Sequence, residues 1–370
     1  MDRISLDRRS FLKSIPALAA TSALAAADTP IKLGFDTYSV RTFKWKAQQL
    51  VDFAGGLKLD TIQISSLDDY ESKDPADLAK IKDQAARYNM VIDGGMGCIC
   101  PTSHSFSKNG PPARDRVIDG LKVAHAVGAS AMRCFLGSSA DRLGPAPIES
   151  HIEETAKVLK SVRQEALDLN VKIAIENHDG DMQAWETRML IEEAGKDFVG
   201  SNLDTGNPLW VVEDPFVTLE TLAPYVVTTH IRDSAVFEVA RGAAGQWVVL
   251  GDGNVDFVRF TQRFRELCPH ASMQLEVITG RAPRVIPYLE SDFWKAFPKA
   301  KGDEFARFVA LAKSGRPYMG LMVVEDVQNA PASSRLPVMN DALKEQQRLD
   351  LERSLEYAKK KLNVGVNWRT

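Results

Sequence analysis

Eight short apolar runs recur along this 370-residue chain, separated by amphipathic stretches, and each of the last four carries one oxygen or imidazole ligand at its end. The first four are IKLGFD (31–36), TIQISS (61–66), MVIDGGMG (90–97) and SAMRCFLG (130–137). The later four are VKIAIENH (171–178), FVGSNLDTGN (198–207), VVTTHIRD (226–233) and SMQLEVIT (272–279), with Glu176, Asp204, His230 and Glu276 near their ends. Runs rich in Val, Ile, Leu and Thr with little polar alternation are how strands buried on both faces read. Strand–helix alternation with right-handed crossovers builds a parallel sheet, and eight such units close into a (β/α)8 TIM barrel. Such a barrel carries its chemistry at the carboxyl ends of its strands. An open dinucleotide-binding sheet would want Gly-x-Gly-x-x-Gly after its first strand, and Gly34-Phe35-Asp36-Thr37 is not that turn.

The intervening stretches support this reading. In 149–170 the residues Ile152, Ala156, Leu159, Val162, Ala166 and Leu169 fall on one helical face. The stretch 74–89 opens with Asp74-Pro75, a cap followed by proline at the first helical position. Another runs from Pro112 to Val127 and stops at Gly128. Two regions exceed a minimal barrel, 234–253 after strand seven and 281–320 after strand eight. Loops after barrel strands overlie the active face, so both are expected to be lids or substrate walls, or simply covers of the barrel mouth. From Ala332 to Leu362 the chain reads as a charged helix with an apolar seam that covers the barrel.

The first 27 residues read as an address. Arg8-Arg9-Ser10-Phe11-Leu12-Lys13 is a twin-arginine signature, followed by a weakly apolar stretch and Ala25-Ala26-Ala27 before Asp28. The stretch is too short and interrupted to anchor in a bilayer. The expectation is export through the twin-arginine machinery to the periplasm or beyond, with no membrane anchor after cleavage. Residues 28–370 then form a single barrel with a C-terminal extension from about 281. That mature chain holds 42 basic against 47 acidic residues, a net charge of about −5. With no basic stripe, nucleic acid is excluded as a partner. Four cysteines (Cys98, Cys100, Cys134 and Cys268) are no disulfide framework in a chain this long and read as small buried hydrophobes.

Three carboxylates and an imidazole converging at one end of a core ask for a cation, because unpaired buried charge is costly. Glu176, Asp204, His230 and Glu276 suit one divalent ion, Mn²⁺ first, with Mg²⁺, Co²⁺ or Zn²⁺ fitting the same donors. On rigid strand ends they would leave positions open for the carbonyl and adjacent hydroxyl of a sugar. Glu176 and Glu276 would flank that sugar as the acid/base pair, through an enediolate that the metal stabilises.

Ile175-Glu176-Asn177-His178, Leu203-Asp204-Thr205-Gly206-Asn207, His230-Ile231-Arg232-Asp233, Gly251-Asp252-Gly253 with Val255-Asp256-Phe257, and Leu275-Glu276 together resemble the xylose-isomerase-like barrel superfamily, especially its sugar isomerase and ketose 3-epimerase branch. The resemblance covers roughly residues 31–280. It implies metal ligation by Glu176, Asp204, His230 and Glu276, catalysis by the two glutamates, and substrate contacts from His178, Arg232 and Asn207. A rim salt bridge with Asp233 is the plainer reading of Arg232. Where many relatives carry Asp-x-x-His, this chain has Asn207, which argues against a second metal and against an endonuclease IV-like cluster. His104, His125, His151 and His270 lack ligand spacing and are expected to be structural or at the surface. The implied activity is a metal-dependent isomerase or epimerase. A lyase or hydratase acting on 3-keto-glycosides is the alternative, since both begin with the same proton abstraction. A non-catalytic sugar-binding protein would have lost a ligand. The substrate is thus a small sugar or keto-glycoside, and the reading leaves room for a homo-oligomer.

Overall fold

The computed structural model describes residues 30–325 and 337–370. The twin-arginine segment, the cleavage site and the first residues of the C-terminal seam lie outside the described residues. Strands β1 (Leu33–Asp36), β2 (Thr61–Ile64), β3 (Val91–Cys98), β4 (Ala131–Phe135), β5 (Lys172–Glu176), β6 (Val199–Asp204) and β7 (Val226–His230) lie side by side in chain order, all parallel. Two more, β8 (Asp233–Val239) and β9 (Gly242–Val248), form an excursion, and β10 (Met273–Leu275) returns to pair with β1. The last seam of the barrel, between β7 and β10, is stitched by the Ile231 amide donating to Gln274 O (2.7 Å) and the Glu276 amide donating to Ile231 O (3.0 Å). Eight parallel strands with helices outside make a (β/α)8 barrel.

The eight strands fall where the apolar runs place them. Leu33, Phe35, Ile62, Ile64, Ile173, Ile175 and Leu203 are all fully buried, as a sheet covered on both faces demands. The predicted helix over 149–170 is divided in two, Ile148–Ser161 and Arg163–Asp168, at Val162 (φ −114°, ψ 11°). Both pieces keep the same buried face, so the apolar stripe continues through the break.

The excursion after strand seven is an antiparallel hairpin. β8 and β9 pair from Asp233↔Val248 to Val239↔Gly242, and β11 (Arg284–Ile286) adds to β9. The helix Gly302–Ser314 packs on this small sheet, and Leu209, Val236, Ile286, Tyr288 and Phe308 make a second core there. The helix Pro337–Lys360 covers the barrel through buried Leu351, Leu355 and Ala358. Among the described residues no helix is long and apolar enough to cross a membrane.

Candidate metal centre and the cavity above it

Glu176 and Asp204 are the last residues of β5 and β6, His230 is the last of β7, and Glu276 follows β10 directly. Parallel pairing sets Asp204 opposite His230. One ligand atom from each of the four comes within 4.8 Å of all the others, and all four residues are buried. His230 Nδ1 lies 3.3 Å from Glu176 Oε1, 3.2 Å from Glu276 Oε2 and 3.8 Å from Asp204 Oδ2. Donors about 2.1 Å from a shared ion, at the angles of tetrahedral or octahedral coordination, sit about 3–4 Å apart.

The other face of each ligand is tied down. His230 Nε2 meets Gln63 Oε1, with Asp36 Oδ2 at 3.4 Å, so its proton belongs on Nε2 and a neutral ring offers the Nδ1 lone pair to the cluster. Asp204 Oδ1 accepts from the Gly206 and Asn207 amides (2.7 Å each), and Oδ2 faces the cluster. Asn177 clamps the Asp204 backbone, donating to its carbonyl (3.0 Å) and accepting from its amide (2.9 Å). Arg133, on β4, donates from Nε to Glu176 Oε2 at 2.5 Å.

Acidic groups outnumber the guanidinium groups around the cluster. Glu176, Asp204, Glu276 and Asp36 face two guanidinium groups, Arg133 and Arg232. With His230 neutral, as a ligand has to be, two negative charges remain for a divalent ion to meet; without an ion, a protonated His230 takes up one of them. Burial, reinforced by Glu176 and Glu276, pushes the Asp204 carboxyl up to about 7 even though Arg232 opposes it. Burial works the same way on Glu276 and Glu176 but is outweighed: Arg232 and His230 bring Glu276 down to about 2, and Arg133, His230 and His178 hold Glu176 well below the usual carboxylate range. Burial disfavours a charged His230, yet Glu276, Glu176 and Asp36 together hold it well above the usual imidazole value. Glu276 Oε2 faces the two cationic side chains, Arg232 and His230. The donor set fits one divalent ion.

A cavity of about 700 Å³ opens above the cluster. His178 lines it, stacked on Phe135 (3.8 Å, 15°) with Nδ1 against Gly137 O (2.7 Å). A carbonyl only accepts, so Nδ1 carries the proton and Nε2 is an acceptor. Burial lowers the affinity of His178 for a second proton. Asn207 also lines the cavity, donating to Glu176 Oε1 at 3.2 Å while its own Oδ1 is buried without a partner. Arg232 pairs with Asp204 and with Glu276 (2.6 Å), and its guanidinium lies 4.4 Å from the Trp247 ring centre. The Arg232–Asp233 rim bridge, the plainer alternative for Arg232, does not form: Asp233 accepts instead from the Ser234, Gly251 and Gly253 amides and so shapes the loop after β9. Only glycine fits at 206, where a Cβ would come within 2.4 Å of Arg232 Cγ.

The remaining histidines stay outside the cluster. Hydrogen bonds join His125 to Leu169 O, His270 to Val226 O, His151 to Thr102 and His104 to Asp141. The four cysteines are free and buried, in keeping with their reading as small buried hydrophobes. Sequence reasoning missed Arg133, Asp36 and Gln63. Their signal is a polar residue set inside an apolar strand run, which signals a partner without naming it.

Residues 51–284, more than half of the chain, match the model of the xylose isomerase-like TIM barrel family. The uncharacterised protein YihM of Escherichia coli (strain K12) is 22% identical over 216 residues, which is 56% of this chain; the match spans only 59% of that relative's length. Among solved structures, D-psicose 3-epimerase from Clostridium cellulolyticum H10, crystallised with D-tagatose, superposes with a TM-score of 0.51 at 16% identity, over 76% of this chain and 96% of its own. An L-ribulose 3-epimerase superposes at 0.51 with 15% identity, over 86% and 97% of the two chains. At such identities the likeness is one of fold. From the family match and the closed barrel, this chain belongs to the xylose isomerase-like TIM barrel family.

Proposed function

We propose that this protein is a divalent-metal-dependent sugar isomerase or epimerase that moves a proton at the carbon next to a sugar carbonyl. The observation that carries the reading is the pairing of Glu176 Oε1 and Glu276 Oε2, 3.3 and 3.2 Å from the same imidazole nitrogen. A divalent ion held by Glu176, Asp204, His230 and Glu276 supplies Lewis-acid polarisation of a carbonyl, with Mn²⁺ as first choice and Mg²⁺, Co²⁺ or Zn²⁺ served by the same donors. The chain's own groups do the rest. Both glutamates are kept ionised by neighbouring cations, so either can accept a proton from carbon. Arg133 fixes Glu176 through Oε2, which leaves Oε1 for the cluster side. Asn207 Oδ1 and the neutral His178 Nε2 are acceptors for substrate hydroxyls, while Arg232 holds Asp204 and Glu276 in place. The 3-epimerase neighbours in fold support this chemistry. The Arg8-Arg9 segment supports an enzyme that works outside the cytoplasm on unphosphorylated sugar.

The test is a screen of free ketoses in deuterated water with the Mn²⁺-loaded protein, read by NMR and mass spectrometry. Isomerised or epimerised product that requires the metal and carries deuterium at the carbon next to the carbonyl is the expected result. Elimination products in place of an epimer would reassign the enzyme as a lyase. Turnover that persists unchanged after metal removal would overturn the reading.

A further inference from the structure

The cavity above the cluster exceeds what one sugar ring fills. A hexose, at roughly 15–20 Å³ per heavy atom of close-packed matter, occupies on the order of 200 Å³, against about 700 Å³ here. The surplus is walled by the excursions. Trp247 on β9 and Trp210 beside it stand edge to face, 5.5 Å apart, and Arg284 of β11 lies over the Trp210 ring at 4.3 Å. Gly97, near the end of β3, lines the same cavity and leaves open space: a Cβ added there meets nothing within 4 Å. Flat aromatic walls bind the apolar faces of rings.

The charge on the lining says what kind of ring belongs there. Four arginines line the cavity, and each already faces a carboxylate. Arg133 pairs with Glu176 and Arg232 with Asp204, while Arg281 lies 3.8 Å from Glu325 and Arg284 lies 2.6 Å from Asp179. A phosphate or uronate would have to share each guanidinium with the carboxylate already beside it, whose like charge opposes the newcomer. Unpartnered capacity on the lining is instead of the kind that meets hydroxyls: Asn207 Oδ1, a buried acceptor, and Trp210 Nε1, a buried donor, neither with a hydrogen bond.

We propose that the cavity takes a neutral two-ring ligand, a disaccharide or an aryl glycoside, with the reacting sugar over the four-ligand cluster and the second ring between Gly97 and Trp247. The position of the inner ring rests on the sugar-enzyme reading above; the size and neutrality of the ligand rest on the walls alone.

The experiment is calorimetric titration of the full chain loaded with Mn²⁺. The ligands are free hexoses, their 6-phosphates, disaccharides, and phenyl glycosides of glucose, galactose and mannose in both anomeric forms. At least one two-ring ligand should bind about tenfold or more tightly than the hexose it contains, and the phosphates should gain nothing. Gly97→Phe should cut that advantage to near unity while the metal content stays unchanged. Gly97→Leu, a smaller intrusion, should cut it in part, and it serves if the larger side chain impairs folding. Disaccharides against phenyl glycosides show whether the second ring is a sugar or an aglycone. Phosphates binding most tightly, a free hexose binding as well as every two-ring ligand, or no ligand of the panel binding at all would each overturn the proposal. Two-ring preference without deuterium exchange into any sugar would sink the proton-transfer reading and leave this one standing; exchange without the preference would do the reverse.

Discussion

Arg133 Nε donates to Glu176 Oε2 at 2.5 Å, joining a guanidinium on β4 to a carboxylate at the end of β5 with almost no water access to either. The same side chain also donates to Met96 O at 3.3 Å and lies 4.8 Å from the Phe135 ring centre. Arg133 therefore sets both the position and the charge of a residue proposed to ligate and to transfer protons.

Removing one partner of a buried pair strands the other. Arg133→Met should lower the stability of the metal-free protein by about 3–5 kcal/mol at pH 7, measured by urea denaturation. Glu176 is depressed in the folded state, so its contribution is complete above the ordinary carboxylate value and is lost as pH falls through its lower folded value. The deficit of the variant should accordingly shrink as the solution is acidified below the ordinary carboxylate range. A deficit below about 1 kcal/mol, the scale of an exposed ion pair, would show that Arg133 does not carry this role.

His230 should make metal binding pH-dependent. Its folded value lies well above the ordinary imidazole range, so its stabilising contribution is present below the unfolded value and lost as pH rises through the folded one. An ion at Nδ1 has to displace the proton. Mn²⁺ binding to the metal-free protein at pH 7 should release about one proton from His230, with a further fraction from Asp204, and tighten as pH rises. Calorimetry in buffers of different ionisation enthalpy measures this directly. Zero proton release would remove His230 from the ligand set or from its charged state.

The two glutamates carry two assigned jobs, and Asp204 only one. Glu176→Gln or Glu276→Gln keeps a carbonyl oxygen for the ion and loses the base. Turnover should fall about 10²–10⁴-fold while metal content, read by elemental mass spectrometry, falls only partly. Asp204→Ala should lose metal and activity together. A metal-replete double glutamine variant with near-parental turnover would move the chemistry to other residues.

Export is tested in cells. Replacing Arg8 and Arg9 together with lysine should leave full-length protein in the cytoplasm, where the parent yields a mature form beginning near Asp28. An unchanged periplasmic pool, followed by immunoblotting of cell fractions, would refute the twin-arginine assignment.

The eight strands and their order were legible from the chain, because burial on both faces leaves a local mark that periodicity reads. Glu176, Asp204, His230 and Glu276 could be expected to meet for the same reason: each ends a strand, and a closed parallel barrel gathers its strand ends at one rim. The residues that complete the centre were not readable in that way. Gln63 on β2 reaches His230 on β7 and Asn202 on β6, pairings that exist only once closure and shear set which inward-pointing side chains share a layer. Arg232 was equally suited, by sequence, to Asp233 beside it; the loop after β9 claims Asp233 through three backbone amides and leaves Arg232 to Asp204 and Glu276. The excursion at 233–248 is a local hairpin, but the strand that extends it, β11, comes from beyond strand eight, and only the tertiary structure joins the two. Local patterning determined the barrel's strands and the four strand-end ligands. Contacts between side chains far apart in sequence, which decide charge balance, ligand orientation and the walls of the cavity, were left to the tertiary structure.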